Sequence, residues 1–226
     1  MEKLNLIKFL SELVTDDRLN NFNRVLDKRT RYLSVVLEDI YQSQNASAVL
    51  RTCDCFGVQD IHIIENKYKY NVNPDVALGS AQWLNLKTYK SKDNNTLSTI
   101  KTLKKQNYRI VATTPHTNDC KLEDIDLTRG KIALFFGSEL PGLSNVVMEN
   151  ADEFVKIPMV GFTESFNISV SAALCLYSIT TRLRNSDVKW QLTADERDDI
   201  LLDWLKTSIK DSENIVKLYH QRTNQV

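Results

Sequence analysis

Several features common in nucleotide-binding and secreted proteins are missing from this chain. It has only six glycines in 226 residues, and the segment EDIYQSQN after its first apolar run contains no Gly-x-Gly-x-x-Gly loop and no P-loop. No apolar run approaches the roughly 20 residues that span a bilayer. The amino-terminal residues lack a signal-peptide pattern. We therefore expect a cytoplasmic protein without a membrane segment.

The cysteines and the net charge exclude two further classes. Cys53 and Cys55 are too close for an ordinary disulfide, and with Cys120 and Cys175 they form no metal-ligand spacing. We interpret all four as small apolar side chains in a reducing compartment. The formal net charge is zero, which argues against a nonspecific nucleic-acid coat but leaves room for a local basic patch.

Five apolar, β-branched runs alternate with helical patterns. The runs are at residues 33–37, 61–64, 108–113, 132–136 and 154–157. The helical patterns include residues 96–106 and 45–56, the latter with Ala48, Val49, Thr52 and Phe56 on one face. Such alternation predicts an α/β fold with a parallel sheet covered on both faces. We expect this core to span residues 32–184, between helical extensions at residues 1–31 and 185–226.

Three of the six glycines lie in one stretch of the carboxyl-terminal half. Gly137 and Gly142 follow the run at 132–136, and Gly161 follows the next run. Glycines at strand ends allow tight turns and let backbone amides and carbonyls face a ligand. Ordinary strand-to-helix turns are the alternative interpretation. Two such loops on consecutive strands favour a ligand site in this half of the chain.

Three motifs are spaced along the predicted core: NASAVLRT at 45–52, FGSE at 136–139, and IPM followed by SFNISV within 157–170. In this order they resemble the SPOUT superfamily of knotted RNA methyltransferases, and within it the TrmH-type tRNA guanosine-18 2′-O-methyltransferases. The resemblance implies a parallel sheet with a deep carboxyl-terminal trefoil knot, S-adenosylmethionine as methyl donor, tRNA as substrate and a homodimer. It implies no metal, because methyl transfer from a sulfonium needs no Lewis acid.

The resemblance also implies the residues of the site. The expected catalytic set is Arg51, Asn45, Glu139, Ser165 and Asn167, and the expected cofactor-binding set is Thr113, Gly137, Ile157 and Phe166.

Arg51 is the central residue of the implied catalytic set. A guanidinium stays charged in proteins, so we predict that Arg51 binds an RNA phosphate and stabilises the developing 2′ oxyanion, while the phosphate or a water accepts the proton. An ion-paired surface arginine is the alternative. Asn45 is predicted to cap the helix that carries Arg51, and Asn167 is as well suited to a cap as to the site. The histidines lie outside all three motifs, and we interpret His62 as structural.

Two basic groups are candidates for phosphate contacts. Arg24, Lys28 and Arg31 recur at spacings of four and three, so they share one face if residues 24–31 are helical. Arg182 and Arg184 form the second group. Phosphate contacts position RNA without reading its sequence. A solvated charged face is the alternative for both groups.

Two other functions stay open at this stage. The first is 2′-O-methylation of another RNA, either ribosomal RNA or another tRNA position. The second is a catalytically silent dimeric RNA-binding module. The joint presence of Asn45, Arg51, Glu139 and Asn167 speaks against the second.

Overall fold

The computed structural model describes residues 2–69, 73–77, 79–91, 94–115 and 120–223. Its contacts divide the chain into two units, one of residues 30–190 and one of residues 1–29 together with 191–226. The two terminal extensions, predicted as separate segments, are thus grouped in one unit.

Seven strands form the sheet of the larger unit. They are β1 (Leu33–Glu38), β2 (Asp60–Ile64), β3 (Asn85–Tyr89), β4 (Tyr108–Thr113), β5 (Cys120–Lys121), β6 (Lys131–Phe136) and β7 (Glu153–Lys156). Their order in the sheet is β3-β2-β1-β6-β4-β7-β5, and every pairing is parallel. The five predicted strands are confirmed to within one residue at each end. The two strands that were not predicted, β3 and β5, lie at the edges.

The helices of the described residues are α1 (Glu2–Ser11), α2 (Asp16–Leu26), α3 (Ser43–Phe56), α4 (Pro74–Ala77), α5 (Asn95–Lys105), α6 (Asn145–Asn150), α7 (Ile168–Arg184), α8 (Ala194–Ser208) and α9 (Ser212–Thr223). None of these described helices combines the length and the apolar character that crossing a membrane requires.

Helices cover both faces of the sheet, as the sequence predicted. Because side chains of a strand alternate between faces, Val35 belongs to the cluster that includes side chains of α3 and α7. Its neighbour Val36 belongs to the cluster that includes side chains of α5 and α6. The carboxyl ends of the strands consequently meet the loops that precede these four helices. In parallel α/β sheets this edge is where ligands bind.

The smaller unit consists of α1, α2, α8 and α9. Phe22 and Trp204 pack with ring centroids 5.5 Å apart, and Arg29 lies over the Trp204 ring at 5.3 Å. The predicted capping box at the start of α8 is confirmed: Thr193 Oγ1 accepts a hydrogen bond from the Glu196 amide at 3.2 Å, and the Glu196 carboxylate accepts one from the Thr193 amide at 2.9 Å.

Candidate active site

Three polar side chains from distant parts of the chain meet at the carboxyl edge of the sheet. Asn45 Nδ2 donates to Glu139 Oε1 at 2.7 Å and to Gln42 Oε1 at 3.1 Å. Asn167 Nδ2 donates to Asn45 Oδ1 at 3.2 Å. The structure thus brings together three of the five residues expected to be catalytic, and we call Asn45, Glu139 and Asn167 the polar cluster.

The helix starts determine how the two asparagines are held. Asn167 is the N-cap of α7, and its Oδ1 accepts from the amide of Ser169 at 2.8 Å and from its hydroxyl at 2.6 Å. Its Nδ2 donates to Asn45 Oδ1, so one side-chain amide caps α7 with its oxygen and joins the polar cluster with its nitrogen. The prediction that Asn45 caps α3 is wrong. The helix begins three residues earlier, at Ser43 with Gln42 at the N-cap, and this leaves the side-chain amide of Asn45 free for Glu139.

A buried carboxylate that the sequence analysis missed anchors the loop carrying Glu139. Glu38, at the end of β1, accepts from Thr96 Oγ1 at 2.6 Å, from Ser144 Oγ at 2.7 Å and from the Ser144 amide at 2.8 Å. Ser144 is in turn the N-cap of α6. A charged residue at the end of the otherwise apolar run LSVVLE was the signal for it, since buried charges need several partners.

Gly137 and Gly142 close the loop between β6 and α6. A Cβ at Gly137 would collide with the backbone of Gly142 and Leu143. Ser138 and Gly142 exchange backbone hydrogen bonds of 3.2 and 3.1 Å, with Gly142 in the left-handed region at a φ of 68°. Gly137 was expected to contact the cofactor, but the structure gives it this role in loop closure and does not include it in the lining of the cleft described next.

An apolar cleft with about 400 Å³ of empty volume adjoins the polar cluster. Its walls include three of the four expected cofactor residues, Thr113, Ile157 and Phe166, and also Ser165 from the expected catalytic set. Thr113 Oγ1 donates to the Phe135 carbonyl at 2.7 Å, which fixes that side chain at the end of β4. Because Phe166 immediately precedes Asn167, cleft and cluster share one segment of chain. The remaining lining residues are Thr114, Pro115, Val155, Met159, Ser171 and Cys175.

Arg51 projects from the exposed side of α3. It follows Asn45 by six residues, which is about 9 Å along a helix axis. Within the part of the chain that the structure describes, its guanidinium has no hydrogen bond and no ion pair. The alternative of an ion-paired surface arginine therefore finds no support among these residues, and the Arg51 donors remain available to a phosphate.

The first basic group does not form the predicted stripe. Helix α2 ends at Leu26, so the assumption of a helix through residues 24–31 is wrong. Arg24 and Lys28 are exposed, and Arg24 donates to Asn21 Oδ1 at 2.6 Å. Arg31 belongs to the larger unit, where its Nε lies 3.3 Å from an Asp60 carboxylate oxygen and its side chain is largely buried. Only the first two retain the exposure that phosphate contacts require.

The second basic group, Arg182 and Arg184, forms hydrogen bonds within the protein. Arg182 donates to the carbonyls of Leu122 and Ile125 at 3.1 and 2.5 Å. Arg184 donates to the Phe56 carbonyl at 2.6 Å and lies 5.8 Å from the centre of the Trp190 ring, and burial lowers its pKa. These arginines close the end of α7 against the core, so the structure does not support their prediction as RNA contacts.

No histidine of the described residues lines the cleft or bonds to the polar cluster. Burial, with a smaller contribution from Lys87, lowers the pKa of His62 to about 4, and His62 Nδ1 lies 2.8 Å from the Tyr89 hydroxyl. It is neutral near pH 7, as expected for a structural residue. His220 lies in α9 of the smaller unit, and His116 lies outside the described residues. In those residues no group of three or more His, Cys, Asp or Glu side chains is arranged to hold a metal ion.

Comparisons with known proteins agree with this geometry. The SpoU rRNA Methylase family matches residues 32–177. A tRNA (guanosine(18)-2′-O)-methyltransferase of Borreliella burgdorferi is 45% identical over 215 residues, covering 95% of this chain and 96% of that protein. The crystal structure of the A. aeolicus TrmH/SpoU tRNA modifying enzyme gives a TM-score of 0.74 at 30% identity, covering 86% of this chain and 98% of that one.

A more distant structure shares the fold. The SpoU methyltransferase AviRb of Streptomyces viridochromogenes, solved with the cofactor AdoMet, has a TM-score of 0.58 at 23% identity, covering 72% of this chain and 62% of that one. Fold and site together are those of an α/β methyltransferase. The chain belongs to the SpoU methylase family, which confirms the resemblance noted in its motifs.

Proposed function

We propose that the protein transfers a methyl group from S-adenosylmethionine to the ribose 2′-hydroxyl of guanosine 18 in tRNA. The observation that carries this proposal is the polar cluster beside the cleft. The cluster offers a place for an RNA nucleotide next to a place for a methyl donor, and Arg51 has free donors for a phosphate. The Borreliella relative, whose name specifies this nucleotide and whose length is 96% covered, favours tRNA over ribosomal RNA.

The cleft suits the adenosine part of this cofactor. Its walls are mainly apolar with a few polar groups, as is usual for small-molecule sites. Ile157 and Phe166 supply apolar surface, and Thr113 and Ser165 supply hydroxyls. Burial raises the pKa of the Cys175 thiol to about 12, so this lining residue stays neutral and does not compete for the methyl group.

The chain's own residues position and stabilise the nucleophile. When bound, S-adenosylmethionine supplies an electrophilic methyl group on a sulfonium. The exposed guanidinium of Arg51 binds the RNA phosphate and stabilises the negative charge that develops on the 2′ oxygen. The proton passes to the phosphate or to a water, because an arginine stays charged in proteins.

The polar cluster acts on the geometry of the site. Asn45 joins the loop that carries Glu139 to the start of α7. Ser165 and Phe166 line the cleft, and Asn167 follows them directly in the chain. Correct placement of a nucleophile contributes roughly 7–11 kcal/mol to well-oriented reactions. We therefore assign Asn45 and Asn167 to positioning, and Glu139 and Ser165 to contacts with the nucleotide.

The active form in this proposal is a homodimer assembled through α7. One side of that helix is buried in the core, but Val170, Leu174 and Tyr177 leave apolar surface exposed on another. Val160 and Phe162, in the loop before α7, are fully exposed. Exposed apolar side chains on one side of a helix are suited to an interface, and a second copy of the same helix would cover them.

We infer a deep trefoil knot for the carboxyl-terminal part of the core. Support comes from the closed loop at 137–142, whose Glu139 is bonded to Asn45, while the segment before α7 reaches the same asparagine. General folding rules do not suggest a knot, so this inference depends on family membership.

Arg24 and Lys28 of the smaller unit are proposed to contact tRNA phosphates, and the protein is proposed to act in the cytoplasm.

The direct test uses S-adenosylmethionine labelled in its methyl group. The wild-type protein is incubated with total tRNA and, separately, with ribosomal RNA, and the labelled nucleotide is mapped. We expect label only in tRNA, at the 2′ oxygen of guanosine 18, and none with Arg51→Ala. Label in ribosomal RNA, or at another tRNA position, would replace the proposed substrate. Cofactor binding without transfer to either RNA would favour the silent module.

A further inference from the structure

Two exposed tyrosines form an edge-to-face pair next to the polar cluster. The rings of Tyr41 and Tyr68 have centroids 5.0 Å apart and an interplanar angle of 71°. Tyr41 is 68% exposed and Tyr68 is 40% exposed. Neither residue belongs to the motifs that identify the family, and neither is used in the mechanism above. Tyrosine rings are enriched where proteins meet other molecules, because they combine an apolar face with a polar hydroxyl.

The pair is held by hydrogen bonds rather than formed by chance. Asp39, two residues before Tyr41, accepts from the backbone amides of Asn66 and Lys67 at 2.7 and 2.8 Å. It adopts a left-handed φ of 50°, and its own amide donates to the Ile64 carbonyl. Asn66 Nδ2 further donates to Thr96 Oγ1 at 2.9 Å. Hydrogen bonds therefore join the loops after β1 and β2, which carry Tyr41 and Tyr68.

The surroundings of the pair match a nucleic acid. Gln42, the residue after Tyr41, accepts from Asn45 of the polar cluster at 3.1 Å. Lys67 and Lys69 flank Tyr68 and are both exposed. Aromatic rings interleaved with cations are the usual platform for unstacked bases, because every base has a π face and its phosphate is negative.

We propose that Tyr41, supported by Tyr68, stacks against an RNA nucleobase displaced from its neighbours at the nucleotide being methylated or beside it. Tyr41 is thus a substrate-positioning residue. The inference rests on the proposed function, which places an RNA nucleotide at the polar cluster. It adds the nucleobase as a second group that the enzyme binds besides the ribose. It assigns that binding to the loops that follow β1 and β2.

The test compares Tyr41→Ala, Tyr41→Leu and Tyr41→Phe. We expect Tyr41→Ala to raise the dissociation constant for tRNA by about 10-fold, within the range measured for one base on an aromatic ring. Tyr41→Phe keeps the π face and stays near wild type. Tyr41→Leu keeps apolar bulk without a π face and resembles Tyr41→Ala. S-adenosylmethionine affinity and the melting temperature should be unchanged in Tyr41→Leu, which separates stacking from folding.

The salt dependence provides a second readout. Stacking releases no counterions, so Tyr41→Ala should weaken binding without changing the slope of log K against log salt. Lys67→Ala, the matched control, should lower that slope by somewhat less than one unit. Wild-type tRNA affinity in Tyr41→Ala, or full affinity in Tyr41→Leu, overturns the stacking proposal. So does unchanged RNA affinity with an altered oligomeric state, which assigns the pair to a protein contact.

The same measurements separate this inference from the proposed function. If the wild-type protein binds tRNA without methylating it, the proposed function fails, yet the effect of Tyr41→Ala on binding still decides the role of the pair. If it methylates guanosine 18 equally well with and without Tyr41, the function stands and the stacking role is wrong. A wild-type protein that binds no tRNA overturns both.

Discussion

Helices α3 and α7 pack against each other, and both carry arginines that the sequence marked as functional, yet their arginines are used differently. Arg182 and Arg184, in the last turn of α7, donate to carbonyls of Leu122, Ile125 and Phe56. Arg51, within α3, has no partner among the described residues. An arginine whose donors are fixed on backbone carbonyls is part of the core, whereas one whose donors are free can bind a phosphate.

The arginines of α7 are therefore expected to affect stability, and the arginine of α3 is expected to affect the reaction rate. Removing a satisfied arginine leaves buried carbonyls without donors and lowers the free energy of unfolding. Removing an unsatisfied one leaves the fold intact and lowers only the rate of the reaction it serves. Substitutions in α3 and α7 test this contrast directly.

The largest effect is expected at Arg51. Arg51→Lys should lower kcat by about 100-fold or more, because a lysine keeps the charge but loses the planar fork that binds phosphate and oxyanion together. The melting temperature and the affinity for S-adenosylmethionine should match wild type. Single-turnover kinetics with saturating tRNA measure the rate. Near-normal turnover in Arg51→Lys would mean that Arg51 acts only as a point charge.

Arg182 should show the opposite behaviour. Arg182→Ala leaves two carbonyls without their donors, and we expect it to lower the free energy of unfolding by about 2 kcal/mol. The kcat of the folded enzyme should stay near wild type. Urea denaturation followed by circular dichroism gives the first quantity, and activity per folded molecule gives the second. A stable Arg182→Ala variant with reduced tRNA affinity would return this residue to the RNA-binding set.

Asn167, at the other end of α7, combines both kinds of role. Asn167→Ala removes an N-cap and should cost about 1 kcal/mol of stability. Asn167→Asp keeps an oxygen for the Ser169 amide but loses the hydrogen bond to Asn45, so it should remain stable and lose activity. Thermal melts and methyl transfer assays on the two variants separate the effects. Equal activity in Asn167→Asp and wild type would restrict Asn167 to capping.

The smallest effect is expected in the smaller unit. Replacing Arg24 and Lys28 together with Ala should weaken tRNA binding only a few-fold near physiological salt and lower the salt slope by somewhat less than one unit per lost phosphate contact. Stability and S-adenosylmethionine affinity should not change, since both side chains are exposed. Filter binding over a series of salt concentrations measures the slope. An identical slope in the double variant would make these residues a solvated surface.

Local patterns predicted most of the fold, and their failures have physical causes. Four of the five predicted strands are almost wholly buried and apolar, which made them evident. The edge strand β3 has partly exposed side chains, and β5 has only two residues. The predicted buried face of α3, which included Thr52 and Phe56, was misplaced. Of the predicted face only Val49 is fully buried, and packing on both the sheet and α7 also buries Ala46, Leu50 and Cys53.

The site was predictable only through the motifs, and its details depend on tertiary contacts. Nothing in the local sequence shows that α2 ends at Leu26, where amides of the following residues close a tighter turn on carbonyls three positions back. Arg29 is then buried against Trp204, 175 residues later, and cannot join a basic surface. Likewise, sequence patterns do not bring near α7 the carbonyls that hold Arg182 and Arg184, which belong to Leu122, to Ile125 and to Phe56 at the end of α3.

The polar cluster also determines when during synthesis the protein can first become an enzyme. Its two asparagines are 122 positions apart, and Glu139 is 94 positions after Asn45. A ribosome adds roughly 5–20 residues per second, so Asn45 waits on the order of 10 s for Asn167 to be made. Contacts this distant in sequence also form late, because a long loop must close first. A nascent chain can therefore pair β1 with β2 while it has no active site, and catalysis begins only once α7 has left the ribosome and folded.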